Sequence, residues 1–405
     1  MSTRILKKRA LSSIIYRDML YVLGKADMEE MIAYLDNAST TRPCPEAVRA
    51  VVEAMEQGYG NPSSLHRLGA DAARTIAGAR ESVAALLGCK SECVFFTSGG
   101  SESNNMALSG AAGARRGRHI VTTAVEHSSV AGPLMWLESQ GWEVTRIAPG
   151  PSGELDSSRV LGAVRPDTAF ISMMMVNNET GAVFPVEEIA RKGKRAFPRL
   201  LVHCDGVQAF GKLPLRLGHT EIDLFSASSH KIQGPKGAGL LYIRQGLHLA
   251  PFIRGGGQEK GMRSGTENVP MIAGFGAACQ KLLNRVQGNY TAVRDLRDLL
   301  WQKLLEIPQV QVLSPEKGSP YILNFSIPGY RGETMLHYLE SKNIFVSSGS
   351  ACSKGAASPV LTAMGLPKPV VEGALRASFI YNTSREEVER LVPALTQGLE
   401  SIAHG

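Results

Sequence analysis

From Ala33 onward the sequence repeats one pattern, in which a short apolar or β-branched run leads into a polar cluster and then into a helix-like segment. The runs and their clusters are CVFFT with SGGSESNN, HIVTTAV with EHSS, AFISMMMV with NNETG, LLVHC with DGVQ, and DLFSAS with SHKIQGPKG. Strands that alternate with helices are typical of a mostly parallel α/β sheet, which binds ligands beyond the carboxyl ends of its strands. We therefore expect the five clusters to lie along one edge of the sheet and to form the active site.

The pattern of apolar and polar residues changes after about residue 285. The segment YTAVRDLRDLLWQKLLEIP has apolar residues at helical spacing and ends at Pro308, and the strand-like YILNFSI and IFVSSGS flank the helix-like ETMLHYLESK. The sequence thus predicts a large domain over residues 33–285 and a smaller α/β domain over 286–405. Residues 1–32 are predicted to form an N-terminal extension that is poorly ordered.

Bulk composition excludes several classes of protein. No apolar run approaches the ~18 residues that span a bilayer, so we expect no membrane association. The net charge of +7 comes from scattered basic residues without interleaved aromatics, which predicts an anionic cofactor or acidic protein partner and no nucleic acid. The six cysteines form no disulfide framework, which indicates a reducing compartment. We expect a cytoplasmic protein. The alternative is a mitochondrial one, if residues 1–30, with their basic residues up to Arg17, act as a transit peptide.

The cluster SGGSESNN is a candidate anion site. Gly99 and Gly100 follow a predicted strand and permit close backbone approach, and Ser101 is predicted to begin a helix. The free N–H groups and the positive end of a helix dipole suit a phosphate, although an ordinary helix cap would have a similar sequence. No Gly-Lys-Ser/Thr follows, so this is not a Walker loop.

Three further clusters supply the groups that a pyridoxal phosphate (PLP) enzyme requires. Lys231, in SSHKIQGPKG, is placed to form a Schiff base with an aldehyde, unless it is a surface lysine. Asp205 could hold the ring-nitrogen proton and His127 could stack on the ring, with Gln208 close by. Each residue alone is more often an ordinary loop residue, but together with the phosphate site they predict a PLP enzyme.

Cys352 lies in the segment SSGSACSKGAAS, among small residues that cannot bury it. Buried cysteines usually have large apolar neighbours. The thiol is therefore either an accident of composition or a group that must reach a ligand.

At these residues the chain resembles the group I (NifS/IscS-type) cysteine desulfurases, which are fold-type I PLP enzymes of the class-V aminotransferase family. The resemblance extends from YLDNASTT at residue 34 to LRASFIYNTSREEV at residue 388. The other matching stretches are GNPSSLH, FTSGGSESNN, EHSSV, VNNETG, HCDGVQAFGKLP, SSHKIQGPKG, GGGQEKGMRSGTEN and SSGSAC. The resemblance implies a large domain with a mostly parallel sheet between helices and a smaller C-terminal domain that carries the cysteine loop.

The resemblance implies a role for each matching residue around the cofactor ring. Lys231 would form the Schiff base, His127 would stack on the ring, and Asp205 would hold the ring nitrogen. Asn178 and Gln208 would face the ring hydroxyl.

Other roles concern the phosphate and the substrate. Thr266 would reach the phosphate of the neighbouring subunit in a homodimer. Arg376 would bind the substrate carboxylate, with Asn178 beside the substrate. The cofactor phosphate would be held within the subunit by Gly100, Ser101, Ser228 and His230.

The reaction implied by the resemblance is the conversion of L-cysteine to L-alanine, in which Cys352 accepts the sulfur as a persulfide. A sulfur-acceptor protein such as an iron–sulfur scaffold, or a thiolation carrier, would take the sulfur, and Cys352 could contact a cluster during transfer. No other metal site is expected. The alternatives are a selenocysteine lyase, another small-amino-acid PLP enzyme of the same fold, or a catalytically silent scaffold. Ser229, Gly206 and the 353–358 loop depart from the usual pattern of the family.

Overall fold

The computed structural model describes residues 32–348 and 357–402. In chain order, the strands are β1 (Ala33–Tyr34), β2 (Val94–Thr97), β3 (His119–Thr123), β4 (Glu143–Ile147), β5 (Thr168–Met174), β6 (Leu201–Asp205), β7 (Leu224–Ser228), β8 (Gly239–Ile243), β9 (Gln311–Val312), β10 (Ile322–Ser326), β11 (Ile344–Phe345), β12 (Ser347–Ser348) and β13 (Ala374–Ser378). The α-helices are α1 (Pro45–Glu56), α2 (Arg67–Leu87), α3 (Gly100–Ala114), α4 (Ser128–Ser139), α5 (Ser157–Gly162), α6 (Val186–Ala196), α7 (Val269–Leu282), α8 (Val286–Leu305), α9 (Gly332–Glu340), α10 (Pro359–Ala363), α11 (Lys368–Glu372) and α12 (Arg385–Ser401).

A seven-stranded sheet in the order β2-β8-β7-β6-β5-β3-β4 forms the centre of the structure. The pairs among β3 to β7 are parallel, and β8 is antiparallel to both of its neighbours. The five apolar runs singled out in the sequence are β2, β3, β5, β6 and β7. The predicted fold class, a mostly parallel sheet between helices, is therefore confirmed.

Neighbouring residues along these strands pack into two separate apolar cores. Phe170 and Leu201 belong to one core, whereas Ile171 and Val202 belong to the other. Successive side chains of a strand point to opposite faces, and a sheet covered on both faces buries both sets. Helices α3 and α4 pack together on the first side, and α7 packs against α1 and α2 on the other. This burial explains why the strands appear as nearly continuous apolar runs in the sequence.

A second, antiparallel sheet in the order β12-β13-β10-β9 follows the long helix α8. The helix spans Val286–Leu305 and ends before Pro308, and Val293, Leu300 and Leu304 are buried as its spacing predicts. The first described strand, β1, pairs in parallel with β11. The boundary at residue 285 remains a prediction.

Element ends differ slightly from the sequence-based expectation. Cys93 lies in a short 3₁₀ turn before β2, and α3 begins at Gly100 rather than at Ser101. Among the described residues, no helix is both long and apolar enough to cross a membrane. The extension predicted for residues 1–32 lies outside the described residues except for Ile32, and Cys352 also lies outside them.

Candidate active site

The polar clusters that follow the strands surround one cavity of about 570 Å³. Ten of the twelve site residues predicted from the sequence line this cavity: Gly100, Ser101, His127, Asn178, Asp205, Gln208, Ser228, His230, Lys231 and Arg376. Thr266 does not line it and is exposed in the loop before α7, and Cys352 lies outside the described residues. The described residues contain no cluster of His, Cys, Asp and Glu that could hold a metal ion.

The start of α3 forms one wall of the cavity. A Cβ at Gly100 would lie only 2.7 Å from Cγ2 of Val207, so glycine lets these two loops pack closely. The first turn of a helix leaves backbone N–H groups without intrahelical partners. Glu102 in this turn is paired with Arg263, with Oε1 and Nε 2.7 Å apart, which offsets its negative charge. The helix start is therefore suited to an anion such as phosphate.

Asp205 ends β6, where its carboxylate is fixed by two donors. Oδ2 accepts a hydrogen bond from Nδ2 of Asn104 at 2.8 Å, and Oδ1 accepts one from the backbone N–H of Val207 at 3.0 Å. Nδ2 of Asn104 also donates to Oγ of Ser129, at 2.8 Å. The structure thus presents a pre-oriented carboxylate to the cavity, and Asn104 is a supporting residue that the sequence reasoning missed.

His127 caps the N-terminus of α4 and contributes a neutral ring to the cavity wall. Its Nδ1 lies 2.8 Å from Oγ of Ser129, which joins it to the network of Asn104 and Asp205. Burial lowers the pKa of His127; the charge of Lys231 lowers it as well, and that of Asp205 opposes the shift. A flat, uncharged imidazole is suited to stacking on an aromatic ring.

Lys231 lies in the 3₁₀ turn Ser229–Lys231, directly after β7. Its Nζ donates to the backbone carbonyl of Ala38 at 2.6 Å and to that of Ser39 at 2.7 Å. These two carbonyls hold the amine at the cavity wall. The sequence did not indicate them, because a backbone oxygen carries no residue-type signal.

Arg376 lies on β13 and is almost fully buried beside the cavity. Nη2 donates to Oδ1 of Asp36 at 2.9 Å and to Oγ of Ser39 at 2.7 Å, and Nη1 donates to the backbone carbonyl of Asn178 at 2.6 Å. Nε is buried and has no hydrogen-bond partner among the described residues. The guanidinium is therefore fixed in place, with donor capacity that a carboxylate could use.

Two buried carboxyl groups line the cavity without having been anticipated as site residues. Burial raises the pKa of Glu126 to about 8, and its Oε2 has no hydrogen-bond partner within the described chain. Burial also raises the pKa of Glu179 to about 7, and its Oε2 accepts a hydrogen bond from Oγ of Ser358 at 2.5 Å. The only sequence signal was position, since Glu126 precedes His127 and Glu179 follows Asn178 at strand ends.

This donor set fits PLP. The start of α3 offers N–H groups to a phosphate, and Asp205 offers a fixed carboxylate to a pyridine nitrogen. The neutral ring of His127 and the amine of Lys231 face the same cavity. The orphaned Nε of Arg376 is a further donor for an anionic ligand.

Comparison with known proteins identifies the family, since residues 33–391 match the aminotransferase class-V family. The chain belongs to this family. It is 38% identical over 383 residues to cysteine desulfurase IscS from Methanosarcina thermophila, covering 93% of this chain and 94% of the relative. It is 42% identical over 369 residues to a cysteine desulfurase from Gluconacetobacter diazotrophicus, covering 89% and 92% of the two chains.

A solved structure described as a NifS-like protein matches with a TM-score of 0.86 and 34% identity, over 91% of this chain and 99% of that one. The family resemblance predicted from the sequence is thereby confirmed. Enzymes of the class-V family and cysteine desulfurases depend on PLP, so the predicted enzyme class and cofactor are confirmed as well.

Proposed function

We propose that this protein is a cysteine desulfurase, which converts L-cysteine to L-alanine and transfers the sulfur to Cys352. The observation that carries the proposal is that one cavity brings together Lys231, Asp205, His127 and Arg376 in a chain whose relatives are named cysteine desulfurases. The carbon–sulfur bond of the substrate breaks and a sulfur–sulfur bond forms on Cys352. The substrate carbon keeps the electron pair of the broken carbon–sulfur bond and gains a proton, and the Cys352 thiol gives up a proton as the sulfur–sulfur bond forms, so the products are alanine and an enzyme persulfide.

Each of the cavity residues has a separate role in binding the cofactor or the substrate. Bound PLP supplies an aldehyde and an electron-withdrawing ring. Arg376 orients the substrate by its carboxylate, and Lys231 holds an amine near the aldehyde. Asp205, whose carboxylate is fixed by two N–H donors, would hold a proton at the ring nitrogen. His127, whose pKa is lowered by burial, would pack against the ring as a neutral imidazole.

Support for Cys352 as the sulfur acceptor comes from the described residues on either side of its segment. On one side, Ser347 is paired with Arg376 across β12 and β13. On the other side, Ser358 bonds to the cavity residue Glu179, and Pro359 also lines the cavity. Both flanks are thus at the active site, which favours a catalytic role for the thiol over an accident of composition.

The decisive experiment is to incubate the purified, PLP-loaded protein with L-cysteine and a reductant, and to quantify alanine and sulfide. Brief exposure without reductant should add the mass of one sulfur atom to the peptide that contains Cys352. Cys352→Ser should bind L-cysteine but form neither sulfide nor persulfide, because a serine hydroxyl is a poor nucleophile without an activating base. Full alanine production by this variant would contradict the proposal and favour a lyase such as a selenocysteine lyase.

A homodimer with shared active sites is part of the same proposal. Val48, Val52 and Met55 form an exposed apolar stripe along α1, which a second copy of the chain could cover. Thr266 is exposed away from its own cavity, which favours a contact with the partner's cofactor phosphate. Co-expression of Thr266→Ala and Lys231→Ala chains should restore some activity. In a mixed dimer one of the two shared sites carries both substitutions, and the other site carries neither and stays active. Activity that is independent of pairing would contradict the shared site.

We further propose that an iron–sulfur scaffold or another thiolation carrier receives the sulfur, with contact between Cys352 and the acceptor or a cluster during transfer. A reducing compartment, the cytoplasm, fits the five described cysteines, all of which are free thiols. Transfer of ³⁵S from L-cysteine to a purified scaffold tests the first point, and cell fractionation tests the second.

A further inference from the structure

Lys212 is a buried lysine behind the cavity, and the mechanism above does not use it. Its side chain is 3% exposed, and Nζ donates to Oε1 of Gln208 at 2.9 Å. Nζ also lies 5.7 Å from the centre of the Tyr321 ring. Among the described residues, no carboxylate forms an ion pair with it. A buried ammonium without a counter-ion is costly, so a negative charge arriving with a ligand would stabilise this arrangement.

The contact with Lys212 fixes the orientation of the Gln208 amide. An ammonium group only donates, so it must face Oε1, and Nε2 then points the other way. Nε2 donates one hydrogen to the carbonyl of Ala38 at 2.9 Å, which also accepts from Nζ of Lys231. Because Gln208 lines the cavity, its second Nε2 hydrogen remains for an acceptor there. Lys212 therefore decides that Gln208 presents a donor rather than an acceptor.

We propose that Lys212 is a positioning residue for the cofactor, which fixes Gln208 as a hydrogen-bond donor toward an anionic oxygen of bound PLP and stabilises that charge through the Gln208 amide. The inference rests on the proposed PLP-dependent function. Burial, with the charges of Lys231 and Arg376, lowers the pKa of Lys212 to about 7. Those two residues are the charged groups that act on it. An anion bound in the cavity would offset the burial of Lys212 and its repulsion by these two positive charges, and would favour the ammonium form of Lys212.

The test compares PLP binding by apoprotein variants of matched side-chain length. Lys212→Met should weaken binding roughly tenfold, the size expected for a lost charged hydrogen bond. It should also raise, by about one unit, the pH at which the absorption band of bound PLP changes, because a nearby positive charge opposes protonation. Combining it with Gln208→Met should weaken binding no further than Gln208→Met alone, since Lys212 acts through that amide.

Lys194→Met is the matched control. Lys194 is also largely buried, but it pairs with Asp223 and does not line the cavity. When Lys194 is replaced, Asp223 still has Arg244 as an ion-pair partner, so no carboxylate is left unpaired. Wild-type PLP affinity and an unchanged absorption band in Lys212→Met would overturn the inference. So would additive losses in the double variant, or an equal loss in Lys194→Met.

If Lys212→Met does not fold, as judged by circular dichroism of the apoprotein, the PLP affinity of Gln208→Glu tests the inference instead. It gives Lys212 a carboxylate partner but removes the Nε2 donor, so we expect a comparable loss of PLP affinity, and wild-type affinity would overturn the inference. A wild-type protein that binds no PLP would instead refute the proposed function.

Discussion

Replacing Gly206 with alanine tests whether the close approach of Phe225 requires a glycine at this position. A Cβ at Gly206 would lie 1.8 Å from Cζ of Phe225, which is completely buried on β7. Unstrained carbon atoms lie about 3.5–4.0 Å apart, so the ring would have to move by roughly 2 Å. The Phe225 ring thus fills the space that an alanine methyl group would need.

Overpacking of a dense core typically costs about 1–3 kcal/mol, and a fully buried ring with this overlap places Gly206→Ala at about 2–3 kcal/mol. Denaturant unfolding of the apoprotein measures this loss. Gly206→Ala combined with Phe225→Leu should be more stable than the sum of the two single changes predicts, because the smaller side chain makes room for the methyl group. PLP affinity should also fall in Gly206→Ala, because the adjacent Asp205 would shift.

Gly78→Ala on α2 is the matched control, because a Cβ there meets no atom of the described chain within 4 Å. It should leave stability unchanged or raise it by up to about 1 kcal/mol. The steric reasoning would be refuted if Gly206→Ala were as stable as the wild type, or if its cost and that of Phe225→Leu simply added.

Two buried carboxyl groups give further predictions. Because burial raises the pKa of Glu126 from 4.5 to about 8, the folded state holds a proton that the unfolded state releases, and stability falls as the pH rises across that interval. The free energy of unfolding of Glu126→Gln, relative to that of the wild type, should therefore rise as the pH increases from 5 to 8. A difference between the two proteins that does not change with pH would contradict this. Glu259→Gln should cost about 2 kcal/mol in urea unfolding, because it breaks the largely buried pair with Arg80. Glu138→Gln, which breaks the more exposed pair with Arg146, should cost about 0.5 kcal/mol or less, and equal costs would refute the role of burial.

The arrangement of the site was predictable wherever it follows from strand direction. Asp205 is the last residue of β6, Lys231 lies in the turn directly after β7, and His127 comes shortly after β3. Parallel strands bring their carboxyl ends to one edge, so three clusters far apart in sequence had to meet. The apolar runs marked the strands well because burial on both faces requires nearly continuous apolar sequence.

The supporting contacts were not predictable from residue type. Lys231 is held by the backbone carbonyls of Ala38 and Ser39, which any residue could provide. Arg376 pairs with Asp36, which lies 340 positions earlier in the chain. Such contacts depend on how distant parts of the chain pack onto the segment between β1 and α1, and no local pattern encodes that packing.

The protonation states of the buried carboxyl groups determine the sign of the charge in the cavity. With every carboxyl group ionised, Glu126, Glu179 and Asp205 would together outweigh the positive charges of Lys231 and Arg376. Burial raises the pKa of Glu126 to about 8 and that of Glu179 to about 7, so both spend much of their time uncharged near neutral pH. Asp205 is the carboxyl group that two N–H donors fix in position for a cationic ring nitrogen. The cavity is thereby left positive enough to attract both a cofactor phosphate and a substrate carboxylate.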